Sequence, residues 1–160
     1  MLNQLRRNRL SPTLLSFALA GALTACATAE AQDPGLADRD ILVETYVSAL
    51  NDCDDDKLSS MLHPDHKGFL VRGGVGKGMD GTALAVQCAA GFELLLSATE
   101  VTWMQAPEHD TQVVALVLAG TLTHPKRGTN SNSLRVTLTA ERAAPDAPLL
   151  IKHSHLSALR

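Results

Sequence analysis

Two histidines, His153 and His155, stand two residues apart in the β-patterned run 149–159 near the C-terminus. On an extended strand residues two apart share a face, so the spacing predicts both imidazoles on one side together with Ile151 and Ser157. Turned toward a cavity, such a pair can bind an anion, act as acid and base near neutral pH, or contribute to a metal site. Arg135 lies on the preceding β-patterned run and can join them as a carboxylate clamp. Tyr46, the single tyrosine, offers a hydroxyl that can stabilise developing negative charge, provided a base stands near the carbon being deprotonated. Trp103, the single tryptophan, completes the expected ligand-contact set of Tyr46, Trp103, Arg135, His153 and His155. A structural alternative stands beside each role. One histidine would be a satisfied interior group and the other would lie at a dimer surface, with Tyr46 a packed aromatic whose hydroxyl reaches a pocket rim.

Other chemistries find no support in the spacing. A zinc site needs three or four converging ligands, and His63 and His66 flank Pro64 rather than sitting on a helical turn. The run Asp52, Asp54, Asp55, Asp56 lacks the glycine and the distant glutamate of an EF-hand loop, so capping and solvation account for it. The glycine run 72–78 fails the phosphate-loop pattern because Lys77 is followed by Gly78. It reads as a loop at a pocket mouth or a hairpin. Neither a metal nor a cofactor is expected. A net charge of -3 gives no electrostatic reason to expect nucleic acid as a partner. With 160 residues, 45% of them hydrophobic, the chain suits one globular domain rather than a disordered polymer.

The first 25 residues read as an address. Arg6, Arg7 and Arg9 precede an apolar stretch from Leu10 to Leu23, too short to span a bilayer and shaped like a bacterial secretory signal. It ends in Leu23-Thr24-Ala25-Cys26, which resembles the lipobox of bacterial lipoproteins. That resemblance implies cleavage before Cys26 and acylation of its thiol. Two or three buried acyl chains anchor a protein stably, since each buried methylene contributes about 0.8 kcal/mol. The alternative is ordinary cleavage at 27–29 or 29–31. Ala27 after the cysteine implies outer-membrane sorting in a Gram-negative host, on the periplasmic face. Removing residues 1–25 takes three arginines and no acid, leaving 11 basic and 17 acidic residues and a net charge of -6.

The remainder divides into a tether over 26–37 and one domain over 38–160. The spacing of Leu42, Val43, Tyr46, Val47 and Leu50 predicts a first helix beginning near Asp38 or Asp40, with Glu44, Thr45, Ser48 and Asn51 opposite. A shorter helix carries Leu58, Met61 and Leu62, and His63-Pro64-Asp65 ends it. A short strand over 67–71 follows, then a third helix from about Thr82 to Ala90 with Gly91 as its stop. From there the period changes to two, predicting strands over 97–105, 112–123, 132–142 and 149–159, with Val101 and Trp103 on one side of the first. Helices followed by a β-meander suggest an α+β domain.

The stretches 46–54, 58–65, 134–137 and 150–157 carry a resemblance to the nuclear transport factor 2-like superfamily, specifically its SnoaL-like branch. Members often end in a strand W-x-I-x-H-x-H-x-S. Here Leu149 replaces the tryptophan, while His153, His155 and Ser157 remain. The resemblance implies a cone, with three N-terminal helices packed on a curved antiparallel sheet and a pocket opening at one end. It also implies a homodimer formed through the sheet. Tyr46 aligns with the oxyanion donor of ketosteroid isomerases, but their general base falls near Leu70 here, and no acid lies between Asp65 and Asp80. Cys53 and Cys88 form an even pair in an exported domain, which invites a disulfide. The cone would let their regions meet, and two small buried hydrophobes are the alternative. The expected function is a cell-envelope lipoprotein whose domain binds a small, partly apolar molecule or acts as a dimeric interaction module. The competing expectation is a pocket isomerase, cyclase or hydrolase with His153 or His155 as general base.

Overall fold

The first helix begins earlier than its apolar stripe predicts. In a computed structural model of the chain, which describes residues 34–70 and 79–159, helix α1 spans Pro34–Asn51. Residues 34–37, read from sequence as the end of the tether, are helical. Proline suits a first turn because its missing N–H has no intrahelical partner to lose. Tertiary contact holds this turn in place. A side chain on Gly35 would meet the Cβ of Pro107 at 2.8 Å, and Asp38 pairs with Arg142 at 2.6 Å. The signal segment 1–25, Cys26, the tether up to residue 33 and the glycine run 72–78 lie outside the described residues.

Helix α2 (Asp55–Ser60) is capped by Asp54, whose carboxylate accepts from the Lys57 N–H at 2.8 Å. The acidic run therefore caps a helix. Strand β1 (Leu62–Leu70) starts well before Lys67 and includes the His63-Pro64-Asp65 segment expected to lie outside it. A proline is tolerated there because β1 is an edge strand and its register slips between Leu62 and Lys67. Helix α3 (Gly81–Ala89) is capped by Asp80 and followed by Gly91 in the left-handed region, at φ +81°. Gly81 lies so close to α2 that an added Cβ would fall 2.0 Å from the Ser59 Oγ.

Four strands complete the sheet: β2 (Glu93–Trp103), β3 (Thr111–His124), β4 (Gly128–Glu141) and β5 (Leu150–Ala158). Their order is β1-β5-β4-β3-β2, antiparallel except where β1 joins β5 in parallel. Alternate residues of β3 and β4 are buried. Val114, Leu116 and Leu118 lie opposite Leu138, Val136 and Leu134 on the concave face, and α1 sets Leu42, Tyr46 and Leu50 into the same core. Bulges in β2 near Thr99 and in β5 at Lys152 interrupt the ladder, which increases local twist and bends the sheet around the helix. At Gly120 a Cβ would come within 1.9 Å of the Leu95 carbonyl oxygen, so only glycine allows β2 and β3 to approach this closely.

Both ends of α1 are fixed by polar side chains. Arg39 is 5% exposed. Its guanidinium donates to Gln112 Oε1 from Nε at 3.0 Å and also from Nη2, reaches the Gln105 carbonyl, and lies 4.9 Å from the Trp103 ring centroid. Gln112 is itself fully buried and donates from Nε2 to the carbonyls of Ala106 and His109 at 3.0 and 2.6 Å. At the other end the Asn51 carboxamide donates to the Leu96 carbonyl and accepts from the Leu96 N–H, both at 2.8 Å. Asn51 was expected on the solvent side and instead extends the edge of β2.

Replacing Gln112 by leucine removes the main acceptor of a buried guanidinium and should lower the unfolding free energy by roughly 3 kcal/mol. Combined with Arg39→Met, the loss should fall short of the sum by more than about 1 kcal/mol in urea unfolding. Strict additivity would mean that the two side chains do not act as one unit.

Candidate functional site

The concave face of the sheet is longer than the helix that covers it. At the end remote from Arg39 a cavity of about 410 Å3 remains. Leu50 enters it from α1, and Met79 and Gln87 enter from α3 and its approach. The sheet contributes Leu94 and Leu96 of β2, Leu122 of β3, Asn132 and Leu134 of β4, and Leu156 to Ala158 of β5. The volume falls within the range of small-molecule sites, about 300–1,000 Å3. Among the described residues its lining contains no ionisable side chain, and its polar members are Gln87, Asn132 and Ser157.

Tyr46 sits one helical turn before Leu50 on the same stripe of α1. It is completely buried, and its hydroxyl is, among the described residues, the buried side-chain polar atom without a hydrogen-bond partner. Burial pushes its ionisation far above the ordinary tyrosine value. The group stays protonated at any physiological pH and keeps a donor unused, which is unusual for a buried hydroxyl.

Tyr46 is not among the residues that line the cavity, and the other expected contact residues do not converge on it either. Trp103 stands at the opposite end of β2, packed under Arg39. His153 and His155 pair with Thr139 and Thr137, and Arg135 with Ser157 and Val117. Their neighbours in sequence, Ser154, Leu156 and Val136, are the buried ones. The two imidazoles do share a face, as their spacing requires, but it is the face turned away from α1. Ile151 does not share it, because the bulge at Lys152 shifts the register and returns Ile151 to the core opposite Ala140. On the outer face the ring of Phe69 lies 5.2 Å from that of His153.

One histidine does reach inward. His66 Nε2 lies 2.9 Å from the Oγ of the fully buried Ser154. Desolvation pushes the His66 imidazole below its usual value, with Lys67 and His153 adding to the shift and Asp80 opposing it. Among the described residues no group of histidine, cysteine or acidic side chains is arranged to hold a metal ion.

Cys53 and Cys88 are joined by a disulfide with a Cα–Cα distance of 6.0 Å. Cys53 lies at the corner after α1 in the left-handed region, at φ +54°. The bridge fastens that corner to α3 next to Gln87, so it holds one wall of the cavity. Gln87 and Asn132 were not singled out from sequence, although the signal was present. Gln87 is one turn after the buried Leu84, and Asn132 has the parity of Leu134, Val136 and Leu138. Arg39 likewise falls on the stripe of Leu42, Val43 and Tyr46.

No family model matches the chain, and no curated protein matches it. Solved structures do. An NTF2-like protein of unknown function in nutrient uptake from Rhodospirillum rubrum aligns with a TM-score of 0.63 at 20% identity, over 76% of this chain and 98% of that one. A ketosteroid isomerase-like protein from Erwinia carotovora atroseptica aligns with a TM-score of 0.62 at 16% identity, over 80% and 98% of the two chains. A nuclear transport factor 2 superfamily protein from Salmonella enterica gives a TM-score of 0.64 at 14% identity, over 80% and 94%. These likenesses show that the fold is nuclear transport factor 2-like.

Two measurements test this framework. The bridge closes a separation of 35 residues, so the Cys53→Ala, Cys88→Ala double variant should lose ~4 kcal/mol of stability in chemical denaturation. A loss below about 1 kcal/mol would show that packing alone holds α3. His66 is neutral in the fold, with a depressed folded-state value. It therefore contributes stability that is complete above the unfolded value of 6.5 and is lost as the pH falls below it. The melting temperature should drop on acidification from about pH 7.5 to about pH 5.5, and His66→Gln should flatten that part of the profile.

Proposed function

We propose that this chain is a lipid-anchored cell-envelope protein of the SnoaL-like branch that binds a small, partly apolar molecule in its cone cavity. The observation that carries the reading is the cavity itself, lined by leucines and a few neutral polar groups between the helices and the open end of the sheet. Binding is favoured over catalysis by His153 or His155. A general base must come within hydrogen-bond reach of the proton it takes, and these imidazoles lie on the other face of the sheet. They and Arg135 instead belong to a surface that would meet a second copy of the chain in a homodimer. Val117 and Ala119 of β3 lie on that face beside them. Three of the structural neighbours are described as association or hub domains of a calcium/calmodulin-dependent kinase, which supports an assembling role for the fold. The anchor is Cys26, on the lipobox-like run 23–26.

Leu134→Trp should fill the cavity and abolish retention of any molecule that mass spectrometry detects on the purified protein, with the outer face untouched. Val117→Asp should convert a dimer to a monomer in light scattering. An unchanged mass would remove the sheet from the interface. Cys26→Ala should lose the acyl mass and leave the membrane fraction. Continued membrane attachment would refute the anchor.

A further inference from the structure

Resting on that binding reading, we propose that the cavity selects an uncharged ligand. Its hydrogen-bonding head would be held by the carboxamides of Gln87 and Asn132, and its apolar body would lie against Leu94, Leu96, Leu122 and Leu134.

Three observations carry this. The first is that neither carboxamide is engaged by another described residue. Among the described residues the side chains of Gln87 and Asn132 make no hydrogen bond, whereas the carboxamides of Asn51 and Gln112 are committed at both ends: Asn51 to Leu96, and Gln112 to Arg39 and the loop before it. Both free groups are half-buried at the cavity. Each offers a paired donor and acceptor, the complement of an amide, a carbonyl beside an N–H, or a hydroxyl. A ligand that satisfies them recovers hydrogen bonds that partial burial withholds from water.

The second is that the described lining carries no counter-charge. The described lining has no lysine, arginine, histidine or acid. A carboxylate or ammonium placed among these leucines would lose hydration without gaining a partner, and that penalty exceeds the one for a neutral polar group. The same apolar walls that accept an alkyl or ring body therefore discriminate against its charged analogue.

The third is rigidity. Gln87 precedes the bridged Cys88, and α3 rests on α2 through the close approach at Gly81. Asn132 pairs in register with Gly120 of β3, and at that glycine β3 lies tight against Leu95 of β2. Both carboxamides are thus held on fixed backbone, and little ordering is needed when a ligand arrives.

The test is calorimetric titration of the full chain with octanamide, octanoate and octylammonium at neutral pH. Octanamide should bind at least about tenfold more tightly than either ion. Replacing Gln87 and Asn132 together by leucine should close that gap to below about threefold while apolar binding persists. Asn132→Asp should shift the preference toward octylammonium, a gain that misfolding cannot imitate. If all three compounds bind equally, or if the leucine pair leaves the preference intact, the selectivity is refuted while the cavity reading stands. If none binds at millimolar concentration, the cavity reading fails and this one fails with it.

Discussion

Helix α1 is clamped at both ends, and the rest of the structure depends on that clamp. Arg39 and Asn51 lie twelve residues apart in sequence, about 18 Å along the axis. The first is held by Gln112, the Gln105 carbonyl and the Trp103 ring, and the second by the backbone of Leu96. A guanidinium is costly to bury. Here its hydrogen-bond partners are neutral, and Gln112 is in turn satisfied by the loop carbonyls. The network is satisfied throughout, which is the condition under which buried polar groups fix one arrangement rather than weaken it. Between the clamps Leu42, Tyr46, Ala49 and Leu50 have one way to seat on the concave sheet, and the cavity begins where the covered stretch ends.

The sheet is bent by local irregularities in its backbone. The bulges near Thr99 and at Lys152, and the close strand approach at Gly120, curve it around α1. The same devices sort the side chains. The bulge at Lys152 keeps Ile151 in the core while turning His153 and His155 outward. One inserted residue thereby separates a leucine-rich interior from an outer face carrying the two imidazoles and Arg135. The cavity and the surface that carries the two histidines thus lie on opposite sides of one layer.

The periodic parts of the chain were legible from sequence. The 3.6-residue stripe of α1, a cap within the acidic run 52–56, the stop at Gly91 and the alternation of β3 and β4 all matched the folded elements, because each rests on local geometry. Legibility failed at two kinds of place. Polar residues on apolar stripes, namely Arg39, Gln87, Gln112 and Asn132, face the interior by position although their residue type points to solvent. The segment 62–66 was read as the end of a helix, whereas pairing with β5 draws it into an edge strand despite Pro64.

Sequence alone determined most of the element types, the shared face of His153 and His155, and the presence of a cysteine pair available for bridging. It could not determine which face that was. Parity fixes relative orientation along a strand, and one bulge reverses it, so the outcome depended on register with β4. Nor could it show that Tyr46 would lie buried with its hydroxyl unpaired, or that Gln87 and Asn132 would meet at one cavity from a helix and a strand 45 residues apart in sequence. Those are properties of surfaces brought together across the fold, and they exist only once α1 is clamped and the sheet has curved around it.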